Sequence, residues 1–157
     1  MPAKQLKKFL DDNSIKYVSI SHSSAFTSQE IAASAHIPGK ELAKTVIIKI
    51  NSKMAMAVIP GSYKIDLHLL KEMLGNEDIR IASEYEFADK FPECEIGAMP
   101  PFGNLYDMEV YVAGSLAEDE EIAFNACTHT ELIKMSYKDF ERLVHPKVIE
   151  FSYLSKL

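Results

Sequence analysis

The stretch AKTVIIKI-NSK-MAMAVIP, residues 43–60, decides how the rest of the chain is read. Its two flanks are rich in β-branched and other apolar side chains, which suit a pleated, buried strand. The link Asn51-Ser52-Lys53 has hairpin length. Two adjacent strands, 43–50 and 54–60, are therefore expected. Working outward, further strand signals occur at 16–20, 79–82, 106–112, 121–126 and 130–135. Helix signals are interspersed with them. Leu6, Phe9 and Leu10 share a face of residues 3–12. Thr27 and Glu30 form a capping box for a helix at about 28–36, which Pro38-Gly39 ends. Asp66 caps a helix that runs through Leu74 and stops at Gly75. Ser83 and Glu86 make a second capping box for residues 84–90, and Ser136 opens the helix YKDFERLV. A loop rich in Gly and Pro spans 92–104. The order does not repeat as βαβα, so the expected class is α+β with a central mixed sheet rather than a doubly wound sheet.

The 157 residues suffice for one domain that buries a real core without metal or disulfide staples. Apolar runs fall short of the roughly 18 residues a membrane span needs, and the N-terminus MPAKQLKKFLDDN has no apolar signal core. Neither a membrane nor secretion is expected. The two cysteines, Cys94 and Cys127, form no CxxC pair and no framework of the secreted kind. A reducing cytoplasm is the expected setting. The net charge of −6 argues against a general nucleic-acid coat, and no DNA partner is expected. The charge is uneven: residues 1–75 carry a net +4 and residues 76–157 a net −10. A phosphate-bearing partner would favour surfaces built by the first half, although two ordinary solvated faces account for the same numbers.

Lys44 stands out. Alternation along 43–50 puts Lys44, Val46, Ile48 and Ile50 on one face and Thr45, Ile47 and Lys49 on the other. The first face is the more apolar and is expected to point inward. A lysine at its start must reach a cleft, meet a counter-charge or bend out into solvent. In the loop Gly97-Ala98-Met99-Pro100-Pro101-Phe102-Gly103, the prolines fix φ and the glycines permit close approach or positive φ. Such a loop can aim the amides of Gly97, Ala98 and Met99 at a carbonyl or oxyanion; it is equally a rigid turn. His129 lies between two strand signals and is a candidate acid, base or hydrogen-bonding group. Cys127, two residues away, makes a Cys–His nucleophile pair conceivable. The remaining histidines, His22, His36, His68 and His145, show no metal-ligand spacing, so no metal is expected. The run Glu118-Asp119-Glu120-Glu121 lacks calcium-loop spacing and reads as a solvated turn.

Three segments in order, TSQEIAASAHIPGKELAKTVIIK (27–49), IGAMPPFGN (96–104) and FNACTHTELIKMSYKDFERLV (124–144), resemble the YbaK/prolyl-tRNA synthetase-associated editing domain family. The resemblance covers nearly the whole chain. It implies one editing domain over 1–157, with a mixed, largely antiparallel, barrel-like sheet surrounded by helices. It also implies a trans-acting aminoacyl-tRNA deacylase with no metal or organic cofactor. The implied partner is the tRNA acceptor end carrying a wrong amino acid, and a synthetase is a further candidate partner. By the same resemblance, Lys44 contacts the tRNA end near the ester. The backbone of Gly97 orients substrate or water, and His129 helps bind the aminoacyl group. Thr27 to Glu30 border the pocket, as do Ala98, Met99 and Pro100. One departure is Cys127, where a GTH version of the segment has Gly; Cys127 is expected to narrow the pocket or alter the backbone. Two other readings remain at this level: a non-catalytic tRNA- or synthetase-binding module of the same fold, and a thiol hydrolase using Cys127 and His129.

Overall fold

The central hairpin forms as its side-chain pattern requires. Strands β2 (Ala43–Ile50) and β3 (Lys53–Pro60) pair antiparallel, with Lys44 opposite Ile59 and Ile50 opposite Lys53. The connection is tighter than the expected three residues. Asn51 and Ser52 turn the chain alone, with φ of 51° and 69°, and left-handed φ at both centres matches the twist of the flanking strands. The structure is a computed structural model that describes residues 3–21 and 41–154. The helix expected at about 28–36, with Thr27, Glu30 and Pro38-Gly39, lies outside the described residues.

Around the hairpin the chain runs α1 (Lys4–Asp12), β1 (Tyr17–Ser21), β2, β3, β4 (Tyr63–Ile65), α2 (Leu67–Leu74), β5 (Ile79–Ile81) and α3 (Glu84–Phe87). It continues through β6 (Glu109–Ala113), α4 (Gly114–Ala117), β7 (Glu121–Asn125), β8 (Glu131–Ser136), α5 (Tyr137–Val144), β9 (Lys147–Ile149) and β10 (Ser152–Leu154). Five strands form the main sheet in the order β5-β2-β3-β6-β9, mixed because β3–β6 and β6–β9 are parallel. A second sheet, β1-β8-β7, and a two-stranded pair, β10-β4, are both antiparallel. The fold is thus α+β with mixed sheets. The expected barrel-like closure is not formed among the described residues: the strands divide into three separate sheets.

Both faces of the β2–β3 hairpin are covered. Ala43, Ile47, Met56 and Val58 join the larger core with Phe102, Phe124 and Phe140. Ile48, Ala55, Ala57 and Ile59 join a smaller one with Leu70 and Phe151. The face that carries Lys44 therefore points inward, but toward the smaller core. The opposite face, also inward, meets the larger one.

Helix ends follow local chemistry. The Asp66 carboxylate accepts from Leu69 N–H at 3.0 Å, and Gly75 closes α2 at φ 61°. Ser83 and Glu86 form the expected capping box. The helix after it is shorter than expected, giving way to a 3-10 turn at Ala88–Lys90. The strand expected at 106–112 starts only at Glu109, because a 3-10 turn occupies Gly103–Leu105 and Asp107 takes φ 58°. Three short strands, β4, β9 and β10, carry no local signal.

Candidate functional site

Two turns are clasped together beside the second sheet. The first, 94–98, precedes the Pro-Pro segment; the second, 126–129, follows β7. Glu95 N–H donates to Cys127 O at 2.8 Å and Cys127 N–H donates to Ala98 O at 2.9 Å. Within the first turn, Ala98 N–H donates to Glu95 O at 3.0 Å. Side chains complete the clasp: His129 N–H donates to Glu95 Oε1 at 3.0 Å, and His129 Nε2–H donates to Ile96 O at 2.8 Å. A Sγ–Sγ bond joins Cys94 to Cys127 across a sequence separation of 33.

The fit is close. Gly97 has φ 86°, and a Cβ placed there would lie 3.3 Å from His129 Cε1. Gly97 is favoured on both counts: L side chains pay about 1–2 kcal/mol for left-handed backbone, and a Cβ would press on the His129 ring. Cys127 takes φ 67° with its side chain buried. That conformation is the one glycine adopts freely, which gives a physical reason for Gly in the GTH version of this segment. Here the disulfide and two backbone hydrogen bonds hold a cysteine in it instead.

Gly97, Ala98, Cys127 and His129, all singled out by sequence, thus converge. The amides behave unequally. Ala98 N–H is already bound to Glu95 O, whereas Gly97 N–H and Met99 N–H donate to no described residue. Ala98, Met99 and Pro100 are buried, and Met99 belongs to the larger core. Because His129 Nε2 carries the proton shared with Ile96 O, Nδ1 is the acceptor of the neutral ring.

The sequence reading of Cys94 and Cys127, no CxxC pair and no framework of the secreted kind, did not anticipate a bond between them. Cys94 and Cys127 are bonded to each other, and no free cysteine occurs among the described residues. A bonded sulfur is not a nucleophile, so the Cys127–His129 thiol hydrolase reading does not apply to this state. Their spacing gave no hint of the bond, because neither turn conformation is a local signal.

Lys44 is half-buried on β2. Burial, and secondarily repulsion from Lys64, hold its pKa below the usual lysine range. Among the described residues it makes no ion pair, and no hydrogen bond joins it to either turn. A parallel bridge between Leu42 and Ala123 ties the start of β2 to β7, the strand that runs on to Ala126 and Cys127. Beyond that strand start, Thr45 Oγ1 and Asn125 Oδ1 are buried with no hydrogen-bond partner among the described residues.

Sequence reasoning missed Glu95, which holds the His129 backbone, and Lys64, which repels Lys44. Neither belongs to a motif. Among the described residues no three His, Cys, Asp or Glu side chains converge as a metal centre requires, and no helix is long and apolar enough to cross a membrane. A cavity of about 640 Å³, lined by Asn51, Lys53, Met54, Asp107, Met108 and Tyr111 among others, lies at the far end of the hairpin and includes none of the candidate residues.

Comparison with known proteins bears on this geometry. Residues 22–143 match the aminoacyl-tRNA editing domain family. The proline–tRNA ligase of Bacillus cytotoxicus is 26% identical over 89 residues, 57% of this chain and 16% of the ligase. The chain thus spans about a sixth of the length of that relative. The crystal structure of the hypothetical protein APE2540 superposes with a TM-score of 0.84 at 18% identity, covering 96% of this chain and all of the other. The structure of a protein described as a candidate trans-editing enzyme for prolyl tRNA synthetase gives 0.81 at 19% identity, covering 96% of each chain. At these identities the structural likeness speaks to the fold.

Proposed function

The chain belongs to the aminoacyl-tRNA editing domain family, and from that premise we propose that it is a trans-acting deacylase that hydrolyses the ester of mischarged aminoacyl-tRNA. The observation that carries this reading is the clasp that sets Gly97 against His129, with a Gly97 amide that donates to no described residue. In the proposed reaction a water oxygen adds to the ester carbonyl carbon. The carbon–oxygen bond to the terminal ribose then breaks, and a proton passes to the released ribose hydroxyl. An ester is already activated, so such a site needs positioning and donors at the developing oxyanion rather than a strong nucleophile. We assign the donor to Gly97 N–H, contact with the aminoacyl group to His129, and the positioning charge near the tRNA end to Lys44. On this reading residues 1–157 act as one editing domain in the cytoplasm, where tRNA is charged, without a metal or organic cofactor. A synthetase is a candidate for delivering the substrate.

The need for such a site is physical. A synthetase discriminates poorly against a slightly smaller amino acid, because a missing methylene is worth about 1–3 kcal/mol. The test is purified protein against tRNAs mischarged with alanine, serine and cysteine. Hydrolysis of at least one above the buffer rate is expected. No turnover on any, with binding retained, would establish the alternative of a non-catalytic tRNA- or synthetase-binding module. The observation that favours that alternative is Ala98 N–H, a predicted donor already satisfied within its own turn.

A further inference from the structure

An aminoacyl ester differs from other esters in one respect that a site must meet: a cationic α-ammonium sits one carbon from the reacting carbonyl. Donors and a lysine suit the carbonyl and the phosphates, but they repel the ammonium. The clasp must therefore supply an acceptor, preferably an anionic one. Four backbone acceptors around Gly97 already hold one hydrogen bond each. Glu95 O is bonded to Ala98 N–H, Ile96 O to His129 Nε2–H, Ala98 O to Cys127 N–H, and Cys127 O to Glu95 N–H.

Glu95 is different. It is the single acidic residue in either turn and its side chain is exposed. Oε1 is tethered to His129 N–H at 3.0 Å, while Oε2 has no hydrogen bond or ion pair among the described residues. Tethering one oxygen orients the carboxylate, so little rotamer freedom is lost when a ligand meets the other. Glu95 stands two residues from Gly97 and bonds directly to His129, the two residues assigned to the carbonyl and the aminoacyl group.

We propose that the Glu95 carboxylate recognises the α-ammonium of the aminoacyl group, so that the site accepts esters with a free α-amine and passes over those whose nitrogen is acylated. The proposal rests on the deacylase reading for the placement of the ester. It would restrict hydrolysis to aminoacyl ends and spare peptidyl ones.

A binding experiment separates the two claims. The probes are 3′-alanylamino-3′-deoxyadenosine, whose amide resists hydrolysis, and its N-acetyl derivative. Wild-type protein should bind the free amine at least about tenfold more tightly, as a charged hydrogen bond warrants. The E95Q variant keeps an oxygen acceptor for His129 N–H but loses the charge. It should lose the preference while its affinity for the N-acetyl compound stays the same. In the wild type alone, the preference should fall as pH rises and the probe's amine deprotonates, which tests the idea even if E95Q fails to fold. Equal affinities in the wild type, no binding of either probe, or an undiminished preference in folded E95Q would overturn the role of Glu95. A clear preference alongside no turnover of mischarged tRNA would leave Glu95 standing and remove the deacylase reading.

Discussion

Lys44 and Lys49 occupy the two ends of one strand, and their surroundings differ sharply. Lys49 Nζ lies 2.8 Å from Glu86 Oε2. The Glu86 carboxylate also accepts from Arg80 Nη1 and Nη2, at 2.7 and 2.6 Å, and from Ser83 N–H in the capping box. These partners, Arg80 first, hold the Glu86 pKa well below the usual carboxylate range. Lys44 is half-buried, repelled by Lys64, and has no counter-charge among the described residues. Lys49, whose charge is balanced within the fold, ties strand β2 to a helix start. A lysine whose charge is left over is available to a ligand, and an anion is the ligand that would relieve it.

The sharpest way to break this contrast is to remove each lysine in turn. Lys44→Ala should lower deacylation by at least about 100-fold, the scale of losing one preorganised stabilising group, with the far-ultraviolet circular dichroism unchanged. Lys49→Ala should change the rate less than about twofold. Comparable losses from both would end the distinction. Next in size is the clasp itself. Breaking the Cys94–Cys127 bond with a reductant should lower the unfolding free energy by about 2–4 kcal/mol in urea melts, whereas an unchanged melt would show that hydrogen bonds alone hold the turns. Gly97→Ala forces a Cβ into left-handed backbone beside His129. It should cost about 1–2 kcal/mol and lower Tm by roughly 4 °C; a neutral outcome in thermal melts would mean the clasp has slack.

The smallest effects are pH-dependent and of opposite sign. Glu86 has a depressed folded pKa, so its contribution is present above the unfolded carboxylate pKa and is lost as pH falls through the folded value. Glu86→Gln should flatten the acid limb of the stability profile. Lys44 is also depressed, but it is a cation, so folding carries its cost at neutral pH and sheds it as pH rises through the lowered folded pKa toward the unfolded one. Lys44→Met should therefore raise Tm at neutral pH, and the difference from wild type should close at alkaline pH. Parallel Tm–pH curves for these two variants would remove the electrostatic basis of the comparison.

Much of the scaffold was legible one segment at a time. The Asp66-to-Gly75 helix and the Ser136-capped last helix formed as read, and the 43–60 hairpin formed with a turn one residue tighter. Their signals are side-chain alternation and hydrogen bonds closed within about four residues. The candidate site was half legible. Gly97, Ala98, Cys127 and His129 converge as a set, while Thr27 and Glu30 lie outside the described residues and Lys44 makes no described bond to the clasp.

By itself, then, the sequence determined that most of the strands and helices exist and how the Asp66, Ser83 and Ser136 helices are capped, because those choices depend on neighbours in the chain. Only the tertiary structure decided what meets across long separations. It split the sheets rather than closing a barrel, and it formed β4, β9 and β10 by pairing short segments with distant partners. It also turned the face of Lys44 toward the smaller core, joined Cys94 to Cys127, and tethered Glu95 to His129. Such contacts leave no local pattern, since loop closure constrains length only weakly and the partners are chosen by packing of the whole core.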